Sequence, residues 1–114
     1  MKKIGTVLLT LALIAGLSVA YAADVEKGKE LFNSPTLGGG TSGMSCMSCH
    51  DGGEGLGNDL FDRSEYTIMG MKKASLAEVV NVCIENPLEG EAIDPQGDDM
   101  QNLIAYMKTL LKTE

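Results

Sequence analysis

Cys46-Met47-Ser48-Cys49-His50 is the stretch on which the reading of this chain turns. Two cysteines separated by two residues, with a histidine directly after, form the C-x-x-C-H pattern of covalent haem attachment. The spacing answers to the shape of the cofactor. Both sulfurs can reach the two vinyl groups along one porphyrin edge, and the next residue turns its imidazole under the ring towards the iron. The expectation is one covalent haem c, bound through Cys46 and Cys49, with His50 as the proximal iron ligand. A thioredoxin-type redox pair would need a βαβ context, which the sequence does not offer. A Cys₃His zinc site would have to recruit Cys83, and His50 directly after Cys49 makes it hard for both to reach one tetrahedral ion.

Outward from the motif, the glycines come first. Gly38-Gly39-Gly40-Thr41-Ser42-Gly43 leads into it as a loop. Gly52, Gly53, Gly55 and Gly57 make a second loop just behind His50, either lying close against the haem edge or simply flexible. Beyond these loops the periodicity is helical. Residues Asp24 to Phe32 place Val25, Gly28, Leu31 and Phe32 at helical spacing, with acidic residues at the positive end, and Asn33-Ser34-Pro35 stops the helix. Ser75-Leu76-Ala77-Glu78 is a capping box that opens a helix to about Glu85, closed by Asn86-Pro87. Leu76, Val79, Val80 and Cys83 share one face of it. Pro87 to Pro95 is a connection, and Asp98 begins a last helix with the stripe Met100, Leu103, Ile104, Met107, Leu110 and Leu111. No strand-like alternation stands out, so the expected fold class is all-α.

The N-terminus reads as an export signal. Lys2 and Lys3 precede an apolar run from Ile4 to about Val19, and Ala20-Tyr21-Ala22 supplies a small-residue cleavage site. The expected organisation is a signal peptide at 1–22 and one domain at 23–114. No stable membrane insertion is expected once the signal is removed, because the run is short and diluted by Gly and polar residues. A domain of this size buries a modest share of its surface and needs a staple. Trp is absent, Phe occurs twice and Tyr three times, one of these within the signal. A large planar cofactor would fill the centre that aromatic side chains cannot. Without Lys2 and Lys3, seven basic side chains face sixteen acidic ones, a formal charge of −9. That balance repels nucleic acid and steers towards basic partners.

The order of parts resembles class I cytochrome c. Gly28-Lys29-Glu30-Leu31-Phe32 is similar to the N-terminal helix of that family, and Leu103-Ile104-Ala105-Tyr106-Met107 to the C-terminal helix that crosses it. The resemblance spans nearly all of residues 23–114 and implies three to five helices around one haem. The family usually places a Met before the last helix as sixth iron ligand, but Gly90-Glu91-Ala92-Ile93-Asp94-Pro95 contains none. The segment from Val79 to Leu110 is similar to cytochrome domains of the thiosulfate dehydrogenase and SoxA families, where a Cys upstream of a Gly and the final helix ligates the haem. Cys83, Gly90 and Met100-x-x-Leu103-x-Ala105-Tyr106 match that order. The Arg that tends to follow this Cys is missing from Ile84-Glu85-Asn86.

The resemblance makes Cys83 the preferred sixth ligand. The alternatives are Met69 and Met71 in a Gly-containing loop, and Met100 and Met107 on the helical stripe; Cys83 could also be a buried thiol that only packs. The function expected is electron transfer in the periplasm or otherwise outside the cytoplasm, by a monomer meeting larger redox proteins of the periplasm or membrane. Lys72 and Lys73 are either a local docking patch or merely solvated. A small thiosulfate-oxidising cytochrome or subunit, and a gas-binding haem sensor with a displaceable sixth ligand, are the other two readings.

Overall fold

The computed structural model describes residues 22–111. The expected signal peptide therefore lies outside the described residues, apart from Ala22. The described part is mostly helical, with four α-helices and one short hairpin. Helix α1 spans Val25–Asn33, α2 Cys46–Cys49, α3 Leu76–Glu85 and α4 Asp98–Leu110. Strands β1, Tyr66–Ile68, and β2, Met71–Lys73, pair antiparallel between α2 and α3, with Tyr66 opposite Lys73 and Ile68 opposite Met71.

The helix starts follow their caps. Asp24 accepts a hydrogen bond from the Lys27 amide at the head of α1. Ser75 and Glu78 close the expected capping box on α3, the serine accepting from the Glu78 amide and the carboxylate accepting from the Ser75 and Ala74 amides. Each such cap contributes about 1 kcal/mol. A second box, Ser45 with Ser48, starts α2 and had no sequence expectation behind it. Serine at the fourth position is a weaker signal than Glu or Gln.

Helices α1 and α4 cross in close contact. A Cβ at Gly28 would collide with the Asn102 carbonyl and the Cβ of Tyr106, so the crossing requires glycine there. One turn on, the Phe32 and Tyr106 rings meet edge to face at 5.3 Å. The buried Asn102 side chain closes the crossing by accepting from the Asp24 amide at 2.8 Å. Of the α4 stripe, Met100, Leu103 and Met107 are buried, whereas Ile104, Leu110 and Leu111 are half-buried.

Helix α3 is buried on more than the one face expected of it. Leu76, Val80 and the half-buried Val79 and Cys83 face one way, but Val82 and Ile84 are buried as well. Ile84 packs towards Gly38, where an added Cβ would come 2.5 Å from its Cγ2. The 87–95 connection is tied down from α3. The Asn81 side chain donates to the Ile93 carbonyl and accepts from the Ile93 amide, both at 2.9 Å. Burying an aliphatic side chain as fully as Ile84 is worth about 1.5–3 kcal/mol.

The hairpin is the one element that the all-α expectation lacks. Its strands are three residues long, too short for a period of two to stand out. Its turn is Met69-Gly70, with φ of +50° and +75°. Two positive φ values make the geometry of a two-residue hairpin turn, normally announced by Asn-Gly or Asp-Gly. Methionine in that position conceals it.

Candidate haem-attachment cavity

The α2 turn, the hairpin and α3 surround an apolar cavity of about 370 Å3. Its volume falls within the range of small-molecule and cofactor sites, about 300–1,000 Å3. All three cysteines and His50 line it, and Phe32 and Met107 reach it from the α1–α4 crossing. The rest of the wall is mainly aliphatic, from residues such as Leu56, Leu60, Leu76 and Val80.

His50 ends α2, and its backbone amide donates to the Cys46 carbonyl at 3.0 Å. Its Nδ1 lies 2.8 Å from the Glu54 carbonyl oxygen. A carbonyl can only accept, so Nδ1 carries the proton and Nε2 keeps its lone pair. That tautomer is the one able to ligate a metal through Nε2. Gly55, at φ +79°, turns the chain directly beneath the imidazole; an added Cβ would sit 3.5 Å from Nδ1. The glycines behind the motif therefore serve a left-handed backbone. Among them Gly55 alone lines the cavity.

Burial pushes the Cys46 thiol up from 9.0 to about 11, helped by repulsion from a charged Cys83. The Cys83 thiol is also raised, first by burial and then by Cys49. All three cysteines line the one cavity. They do not form a metal cage: among the described residues, no three His, Cys, Asp or Glu side chains converge to hold an ion.

The methionine candidates separate cleanly. Met69 at the hairpin tip and Met107 on α4 line the cavity. Met71 is exposed and outside the lining, and Met100, with 0% of its surface accessible, packs in the core. Nothing in the sequence pointed to Arg63, among the described residues the one Lys or Arg on the wall. It is held by a two-pronged pair with Asp59, Nε donating to Oδ2 at 3.1 Å and Nη2 to Oδ1 at 2.6 Å.

No family model, curated protein or solved structure matches this chain. The donor set defines the chemistry open to the site. Two thiols separated by two residues, one imidazole with a fixed tautomer and an apolar chamber fit a planar, iron-bearing macrocycle. A third sulfur, from Cys83, Met69 or Met107, also lines the cavity. Among the described residues, no helix is long and apolar enough to cross a membrane.

Proposed function

We propose that the chain is an exported electron carrier of the cytochrome c type, with one haem attached through Cys46 and Cys49 and ligated by His50. The observation that carries this reading is the His50–Glu54 hydrogen bond at the cavity wall, which leaves Nε2 as a donor beside two correctly spaced thiols. When bound, the haem iron supplies a one-electron couple between the ferric and ferrous states. The chain's part is to hold, orient and dry that group. Cys46 and Cys49 anchor one edge, Glu54 keeps the imidazole from rotating, and the aliphatic wall excludes water. Protonated at neutral pH, the buried Cys46 thiol is a weak nucleophile until its proton is removed.

Cys83 would be the preferred second protein ligand to the iron, with Met69 and Met107 as its rivals. A thiolate there would favour the ferric state and lower the reduction potential; a thioether would raise it. Replacing Cys83 by Ala should change the ferric electronic and paramagnetic spectra and raise the potential. Unchanged spectra would reduce Cys83 to a packing residue. Electron transfer, rather than oxidation of thiosulfate, is the better reading because the specific signal lies in the haem motif; the Cys83 segment lacks the expected Arg. The purified protein should give a reversible one-electron wave and no thiosulfate-dependent haem reduction above background. Export is supported by residues 1–22, and N-terminal sequencing of the exported protein should begin at Ala23. The haem-bound carrier is expected to be a monomer.

A further inference from the structure

We infer that a backbone clasp built on Gly38, Gly40 and Gly90 holds Cys83 in place and so closes the haem iron to outside ligands. The loop that leads into the motif and the connection that leaves α3 lie backbone against backbone. The Glu91 amide donates to the Gly38 carbonyl at 2.8 Å. The Thr41 and Ser42 amides both donate to the Leu88 carbonyl, at 3.0 and 3.2 Å. A Cβ at Gly90 would come 2.9 Å from the Gly38 carbonyl oxygen, 3.0 Å from that of Leu37 and 3.1 Å from the Gly40 nitrogen. One at Gly40 would meet the Leu88 carbonyl oxygen at 2.7 Å, and one at Gly38 would collide with the Glu91 carbonyl. Neither Gly40 nor Gly90 holds a left-handed backbone. Glycine is needed at these two places for close approach, not for an unusual turn.

The clasp is one hydrogen bond away from Cys83. The Leu88 amide donates to the Cys83 carbonyl at 3.2 Å, and the Gly90 amide to the Ile84 carbonyl at 2.8 Å. These two bonds finish α3, and both Leu88 and Ile84 are buried. Cys83, Pro87 and Leu88 line the cavity, as do Ser45 and Cys46 just beyond the clasped loop. The stretch that begins the attachment motif is thereby fastened to the stretch that carries the third thiol. A ligand supplied by the protein excludes others only while it stays in place, and the fraction of molecules in which it has swung away sets how readily an outside ligand enters. The hairpin that carries Met69 has no comparable restraint at its turn, where an added Cβ at Gly70 would meet open space.

This inference rests on the haem reading with Cys83 as iron ligand, and its test separates the two. The exported protein is first checked for covalent haem; its absence overturns the haem reading and this proposal with it. Cyanide binding to the ferric protein is then timed by absorbance. Gly90→Ala should speed cyanide entry at least about tenfold, because loosening the clasp raises the open fraction in proportion. Gly70→Ala is strained by its backbone but lies outside the clasp, and should leave the rate within about twofold of the parent. In a Cys83→Ala background, Gly90→Ala should change the rate less than about twofold, because the residue it positions is gone. Parent-like entry in Gly90→Ala would overturn the proposal. So would equal acceleration by Gly70→Ala, or acceleration by Gly90→Ala that survives without Cys83, since the clasp would then act through general stability alone. The parent protein supplies a measurement that needs no substitution. Its Thr41, Ser42 and Glu91 amides should open, by hydrogen exchange, at the rate that limits cyanide entry at saturation. Amides that open far more often than cyanide enters would overturn the clasp even where Gly90→Ala fails to fold.

Discussion

The two walls of the cavity are built in opposite ways. On the Cys46–Leu56 side nearly every turn is closed by a local bond: the Ser45–Ser48 box, the Cys46 carbonyl to the His50 amide, and the Glu54 carbonyl to the imidazole. On the Tyr66–Leu88 side the parts come from a hairpin of three-residue strands and from the face of α3. There Met69 holds a left-handed backbone conformation with 58% of its surface exposed. The first wall presents one donor in one orientation. The second offers alternative sulfurs and a strained, uncovered tip. Fixed geometry on one side and choice on the other suits a group whose attachment is invariant and whose potential is tuned.

The hardest break of this comparison is at the attachment residues. Substituting Ser for both Cys46 and Cys49 should abolish covalent haem altogether, as read by haem staining after denaturing electrophoresis. Haem surviving in that variant would show that the fixed wall is not the anchor.

Next come two glycines with almost the same backbone, Gly55 at φ +79° and Gly70 at φ +75°. Alanine at either position should cost about 1–2 kcal/mol in a denaturant melt, because both demand a left-handed conformation. Only Gly55→Ala should also disturb the ferric spectrum, since it displaces the turn beneath His50. Equal spectra in the two variants would erase the distinction between the walls.

The thiols give a pH test. The raised Cys46 and Cys83 thiols keep their protons in the folded chain to higher pH than in the unfolded one. Their contribution to stability is complete below the ordinary thiol value of 9.0, and the Cys46 share is lost as pH climbs towards about 11. Protein prepared without haem should therefore lose stability over that interval in thermal melts. The loaded protein should lose less, because the Cys46 sulfur of a thioether has no proton to release. Parallel loss in both forms would contradict the attachment.

The smallest effect belongs to the hairpin tip. Met69→Asn places Asn-Gly in a turn that prefers it and should stabilise the fold by about 0.5–1 kcal/mol. A destabilised variant would mean that Met69 is held there by packing.

Features closed by short-range signals were legible in the sequence, and those made by distant partners were not. Asp24 and the Ser75–Glu78 box announced α1 and α3, the apolar stripe announced α4, and the C-x-x-C-H spacing gathered Cys46, Cys49 and His50. Each of these signals sits within a few residues of its partner. Asn102 and Asn81 carried no such signal, because the backbone groups they bind lie 78 and 12 residues away. The hairpin was concealed by its methionine turn. Five sulfur side chains were candidates for the sixth position, and periodicity could not rank them. Only the tertiary arrangement separates Cys83, Met69 and Met107 on the wall from Met71 and Met100 away from it. Arg63 was silent for the same reason.

The central claim is that Cys46 and Cys49 carry one haem. Its most direct test is the intact mass of the exported protein under denaturing conditions. The expected mass is that of the polypeptide from Ala23 onward plus one haem, with the addition absent from the variant carrying Ser at both positions. A mass equal to the bare polypeptide, from cells that attach haem to other exported proteins, would contradict it.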